Sequence, residues 1–175
     1  MFTVDEIGGD FVEAFFLDEH TLIATLADAT GHGISASLFT MVYKTLLHGS
    51  FARQREPAQV LEQVNKGFLE SAGIDGYYID ACLVSFDTAS RKGRYAAAGH
   101  PHCFIFQKEG AGYRMREHLG VQSLMLGMNE AARFGEVEFQ LDAARWQATC
   151  FAIEGASGVP TVADGTGHLA NDACP

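Results

Sequence analysis

Residues 26–36 read LADATGHGISA. The apolar run from Leu22 to Ala27 stops at the carboxylate of Asp28, turns through Gly31-His32-Gly33, and gives way to a pattern with helical spacing. Read locally, this is a strand-to-helix turn. Aspartate and glycine are ordinary turn residues, and Asp28 taken alone implies no more than that. The alternative is that Asp28 is a ligand or catalyst held at the end of a sheet, with glycines that let backbone come close. The sequence on either side has to decide.

Upstream, DFVEAFFLDEHTLIATLAD (residues 10–28) reads as two strands joined by the polar turn Asp18-Glu19-His20. In a hairpin, the entry of the first strand lies beside the exit of the second. Asp10 and Asp28 therefore fall at the same end of the pair. Two carboxylates side by side repel and push one pKa up. A divalent cation removes that conflict, and hard oxygen donors suit magnesium or manganese rather than zinc. Gly8 and Gly9 beside Asp10, and Gly31 and Gly33 after Asp28, leave room for a backbone carbonyl and for water.

Downstream, the spacing predicts a helix over about 34–53, with Leu38, Met41, Val42, Thr45, Leu46 and Phe51 as its core stripe. A second helix starts at Pro57 and closes at Gly73, with Val60, Leu61, Val64, Phe68 and Leu69 on one face. From Tyr77 the period changes to two. YYIDACLVSFD, RYAAAGH, HCFIFQKEG, YRMREHL, EVEFQLD and WQATCFAIEG read as strands separated by turns. Strands, two helices, then a run of hairpins is an α+β order with mostly antiparallel sheets. The stretch after Gly158 shows neither period, so the expectation is one domain over 1–158 and an irregular tail over 159–175.

Composition narrows the function. The chain has 175 residues, 47% hydrophobic and 19% charged, enough for one domain with a real core. Its formal net charge of −10, with no basic run, argues against a nucleic-acid partner. No apolar stretch approaches the roughly 20 residues that span a bilayer, and the N-terminus has no signal-peptide layout. Cys82, Cys103, Cys150 and Cys174 are scattered without a C-x-x-C pair, which reads as buried small residues in a reducing cytoplasm.

IGGDFVEAF, LADATGHGISASLF, AAAGHPHCFIF and LMLGM, in that order, resemble the bacterial type 2C (PPM) serine/threonine phosphatases, in the SpoIIE-like branch of partner-switching regulators. The resemblance implies an α-β-β-α sandwich of two antiparallel sheets flanked by helices, with two manganese or magnesium ions at one end. It makes Asp28 the aspartate that bridges both ions, Asp10 a ligand of one, and the Ala29 carbonyl a backbone ligand. It implies hydrolysis of phosphoserine or phosphothreonine on a STAS-type anti-sigma-factor antagonist by a metal-activated water. The sequence also departs from the pattern. Glu154 in FAIEGASG stands where the family has aspartate, Ala97 stands where it has asparagine, and its final D-D-x-T strand is not found. Asp164 and Asp172 lie in the tail without a strand-like context. A second reading therefore stays open: a catalytically impaired relative that binds a STAS or kinase partner, or pairs with itself. His32 and His100 read as turn residues.

Overall fold

The computed structural model describes residues 9–72, 76–99, 102–109, 112–141, 147–151, 161–163 and 169–170. The chain begins with a hairpin of β1 (Asp10–Phe16) and β2 (Thr21–Ala29). Two helices follow, α1 (Ile34–Phe51) and α2 (Pro57–Ala72). Next come β3 (Ile79–Asp87), β4 (Lys92–Ala98), β5 (His102–Glu109), β6 (Gly112–Gly120), β7 (Glu136–Gln140) and β8 (Gln147–Phe151). Two short strands close it, β9 (Thr161–Ala163) and β10 (Leu169–Ala170). They form two five-stranded sheets, β1-β2-β3-β4-β7 and β10-β9-β8-β5-β6. Every strand pairing within the two sheets is antiparallel.

The central strands of the first sheet are buried on both faces. On one face Ile23, Ala27, Ala29, Ile79, Ala81, Leu83, Ala96 and Ala98 pack against Tyr43 and Leu47 of α1 and Val60, Leu61, Val64 and Phe68 of α2. On the other, Leu26, Cys82, Val84, Tyr95 and Ala97 meet Cys103, Ile105 and Leu119 of the second sheet. Successive side chains of a strand point to opposite faces, so a strand with two covered faces reads as an unbroken apolar run. That is why LIATLA does not alternate. Thr25 is the polar exception. Its hydroxyl donates to the Cys82 carbonyl at 2.8 Å and accepts from the Tyr43 hydroxyl at 2.6 Å, which ties α1 to the sheet and satisfies both buried groups. Cys82 and Cys103 are buried free thiols, as expected. Cys150 and Cys174 lie outside the residues whose side chains are described.

The α-β-β-α sandwich is the expected fold class, and the described residues supply both sheets and the helical layer on the first of them. Two local expectations are corrected. The core stripe of α1 is Ala36, Thr40, Tyr43, Leu47, Ser50 and Phe51, while Leu38 and Met41 are 62% and 58% exposed. This helix carries apolar residues on more than one side, so periodicity alone does not choose the buried face. Tyr43 decides it, because its hydroxyl has a partner on the sheet. For α2 the expected face is the buried one at Val60, Leu61, Val64 and Phe68, while Leu69 is half-buried. The stretch after Gly158 contributes β9 and β10 along the β8 edge, where unpaired backbone groups of that strand find partners. Three and two residues are too few to show a period. Among the described residues no helix is long and apolar enough to cross a membrane.

Candidate active site

The β1–β2 hairpin has one register, set by a short turn in which the Leu17 N–H donates to the Thr21 carbonyl at 2.8 Å. In that register Asp10 is the direct partner of Asp28. The β2–β3 pairing then sets Asp28 directly opposite Asp80. Directly paired residues share a face, so Asp10, Asp28 and Asp80 form one row across three strands. Alternation along β2 and β3 puts the row on the face that carries Leu26, Cys82 and Val84, at the sheet's end. Among the described residues no three such side chains close around a single point. The arrangement is a row and not a cage.

Backbone around the row is held in place. The Ala29 N–H donates to the Gly9 carbonyl at 3.1 Å, which brings Gly9 alongside. A Cβ at Gly9 would lie 2.7 Å from the Ala29 carbonyl oxygen and 3.1 Å from Asp28 Oδ1. Those two oxygens therefore face one small space that only glycine leaves open. Thr30 fixes the following turn: its N–H donates to the Tyr78 carbonyl at 2.9 Å, and its hydroxyl accepts from the Tyr78 N–H at 2.9 Å. Gly31 and Gly33 then take positive φ values of 101° and 72°, which L side chains rarely adopt, and the chain enters α1.

The electrostatics follow from the row. Asp28 has its carboxyl pKa raised. Partial burial is the largest cause, followed by the charges of Asp10 and Asp80, and a hydrogen bond with Asp10 favours the protonated form. Three carboxylate oxygen sets and the Ala29 carbonyl make a hard donor set. It fits magnesium or manganese and not a thiolate- or imidazole-preferring metal.

Asp10, Asp28 and Ala29, all singled out by sequence, thus come together at one sheet end. Glu154, also singled out, lies outside the described residues, as do Gly8, His100, Asp164 and Asp172. His32 is exposed in the turn. Sequence reading missed Asp80. The signal was a lone acidic residue inside the apolar strand YYIDACLVSFD, and it acquires meaning only once β3 is paired with β2. It also missed Asn65, which is 1% exposed on α2. Asn65 accepts from the Gly127 N–H at 2.8 Å and donates to the Asn129 carbonyl at 2.9 Å. It thereby pins the LMLGM segment, whose Leu126 exchanges two backbone hydrogen bonds with Ile79, next to Asp80. Ser123 donates its hydroxyl to the Ala97 carbonyl and holds the same segment to β4.

A sequence family described as Stage II sporulation protein E (SpoIIE) matches residues 18–145. The chain belongs to the SpoIIE family. The match includes Asp28, Ala29 and Asp80 and starts after Asp10. Among curated relatives, this SpoIIE-family chain is 27% identical over 138 residues to the phosphoserine phosphatase RsbP of Bacillus subtilis. The match covers 77% of this chain and 32% of that protein, so the chain spans about a third of the relative's length. Solved structures share the fold. The RsbU and RsbW domains of a Mycobacterium tuberculosis protein superpose with a TM-score of 0.66 at 24% identity, covering 82% of this chain and 38% of that one. The PP2C phosphatase domain of Bacillus subtilis SpoIIE, with a fragment of its regulatory domain, gives 0.64 at 20%, covering 82% and 41%. RsbX, solved in complex with magnesium, gives 0.60 at 14%, covering 83% and 66%. The fold is that of PPM phosphatase domains.

Proposed function

We propose that this SpoIIE-family chain is a metal-dependent phosphoprotein phosphatase. It would remove phosphate from a serine or threonine of a STAS-type regulatory partner in a cytoplasmic partner-switching pathway. The observation that carries the reading is the direct Asp10–Asp28 pairing, with the Ala29 carbonyl oxygen and Asp28 Oδ1 facing the same glycine-cleared space. The family, the relative named as a phosphoserine phosphatase, and a neighbour solved with magnesium all point the same way.

Asp28, central in the row, would be shared between two ions; Asp10 and the Ala29 carbonyl would complete the first position. When bound, such ions polarise phosphoryl oxygens and supply a water-derived nucleophile at neutral pH. The chain's own residues do the rest. Asp10 and Asp28 supply carboxylate oxygens at the sheet end. Gly9 keeps the approach open. Asn65 and Ser123 fix the LMLGM segment that borders it. Glu154 would add a longer carboxylate where the family has aspartate.

One observation favours the second reading, a binding module with weak or no catalysis. Ile34, Leu38 and Met41, at helical spacing on α1 just past the site, are 72%, 62% and 58% exposed. The decisive experiment follows phosphate release from a phosphorylated STAS-domain protein with manganese. Release that disappears in Asp28→Asn, with the fold retained, supports the enzyme. A manganese-loaded protein that cleaves neither phosphopeptides nor small phosphoesters, yet still binds the partner, supports the module.

A further inference from the structure

We propose that Asp80 is a metal-ligating carboxylate of this site, so that the row Asp10–Asp28–Asp80 holds two cations: one between Asp10 and Asp28, one between Asp28 and Asp80. The inference rests on the metal-dependent reading above and adds to it a ligand that the family's motifs do not supply.

The register carries it. Asp80 is the direct cross-strand partner of Asp28, as Asp10 is on the other side. Direct antiparallel partners have Cβ atoms about 4.5–5.5 Å apart, and two-metal phosphatase sites place their ions about 3.5–4 Å apart. Cations between successive members of the row would by that spacing lie about 5 Å apart, and rotation of the shared Asp28 carboxylate can draw them closer. Magnesium and manganese keep several waters and need only one or two carboxylates each.

Space is kept clear beside Asp28, where Gly9 leaves Oδ1 and the Ala29 carbonyl open. Gly99 stands beside Asp80 at ordinary contact distance, since a Cβ there would sit 3.4 Å from the Asp80 Cγ and 3.5 Å from its Oδ2. The same Cβ would lie 2.7 Å from the Met125 Cγ, so the LMLGM segment could not keep its place. Both glycines thus flank a carboxylate of the row. β3 brings a carboxylate into register beside Asp28.

The test is manganese binding to the full chain by calorimetry, together with the electron paramagnetic resonance of the bound ions. Wild type should bind two ions, with a spectrum broadened by coupling across the shared carboxylate. Asp80→Asn should bind one, or bind the second at least about 10-fold more weakly, and show the six lines of an isolated ion. Asp80→Thr, read in the same way, covers a fold defect in the amide variant. Either variant keeping both coupled ions with unchanged affinity overturns the role of Asp80, as does wild type that binds a single ion. The underlying reading fails separately: wild type that binds no manganese, or an Asp28→Asn protein that binds like wild type, removes the metal site itself.

Discussion

The two ends of the first sheet use the same residue type to opposite effect. At one end Asp10, Asp28 and Asp80 stand side by side, and Asp28 is pushed toward protonation by burial and by its acidic neighbours. At the other, carboxylates are compensated. Asp18 is held below the usual carboxylate range by hydrogen bonds from the Thr21 side chain and from the Thr21 and His20 N–H groups, and it pairs with Arg55 at 3.0 Å. Asp87 is lowered mainly by the Ser90 N–H at 2.6 Å. Arg94 is surrounded by Glu56, Glu136 and Glu138. A cleft of about 1000 Å³ opens at this compensated end, lined by Asp18, Arg55, Asp87, Lys92, Arg94 and Glu138 among others. The proposed function uses the row, where three carboxylates stand in register.

That contrast can be broken, starting with the largest effect. Asp28→Asn should weaken manganese binding by at least about 100-fold in calorimetry, whereas Asp87→Asn should leave it unchanged. Equal losses from both would erase the distinction between the ends. Gly9→Ala should come next. Its methyl group meets the Ala29 carbonyl at 2.7 Å, so about 1–3 kcal/mol of stability should go in chemical denaturation, and metal affinity should fall with it.

A pH series on metal-free protein sharpens the comparison further. A carboxyl whose folded pKa is raised loses stability as pH climbs from its unfolded value through the raised one. A carboxyl whose folded pKa is lowered gains stability over its own window, from the lowered value up to the unfolded one. Asp28→Asn should therefore raise the neutral-pH Tm on the order of 1–2 °C, with the gain vanishing below the carboxylate range. Asp18→Asn and Asp87→Asn should lower the Tm at neutral pH. If all three variants move the Tm the same way, the two ends are not electrostatically distinct. The smallest change belongs to Arg94→Gln. A partly exposed ion pair network contributes about 1 kcal/mol or less, and that loss should shrink further in high salt.

How much was legible follows from connection length. The β1–β2 turn is short, so the sequence positions of Asp10 and Asp28 already implied that they meet. The amphipathic α2 declared its buried face, since Val60, Leu61, Val64 and Phe68 are its main apolar stripe. α1 did not, because Leu38 and Met41 advertise a second apolar side that the sheet leaves uncovered. Asp80 was invisible as a site residue. Two helices separate β2 from β3, and such a connection fixes no register. Asp18 was legible as a turn residue, and the structure satisfies it locally with the His20 and Thr21 N–H groups. Asp87, next to the turn that follows β3, is satisfied in the same way by Ser90.

By itself the sequence determined the order of elements as far as β8, the antiparallel sheets and the convergence of two aspartates, because these depend on local period and on a short hairpin turn. Only the tertiary structure decided that a third aspartate joins the row and which side of α1 is covered. Both depend on how distant segments pack, and a strand displaced by one residue would have turned Asp80 to the opposite face.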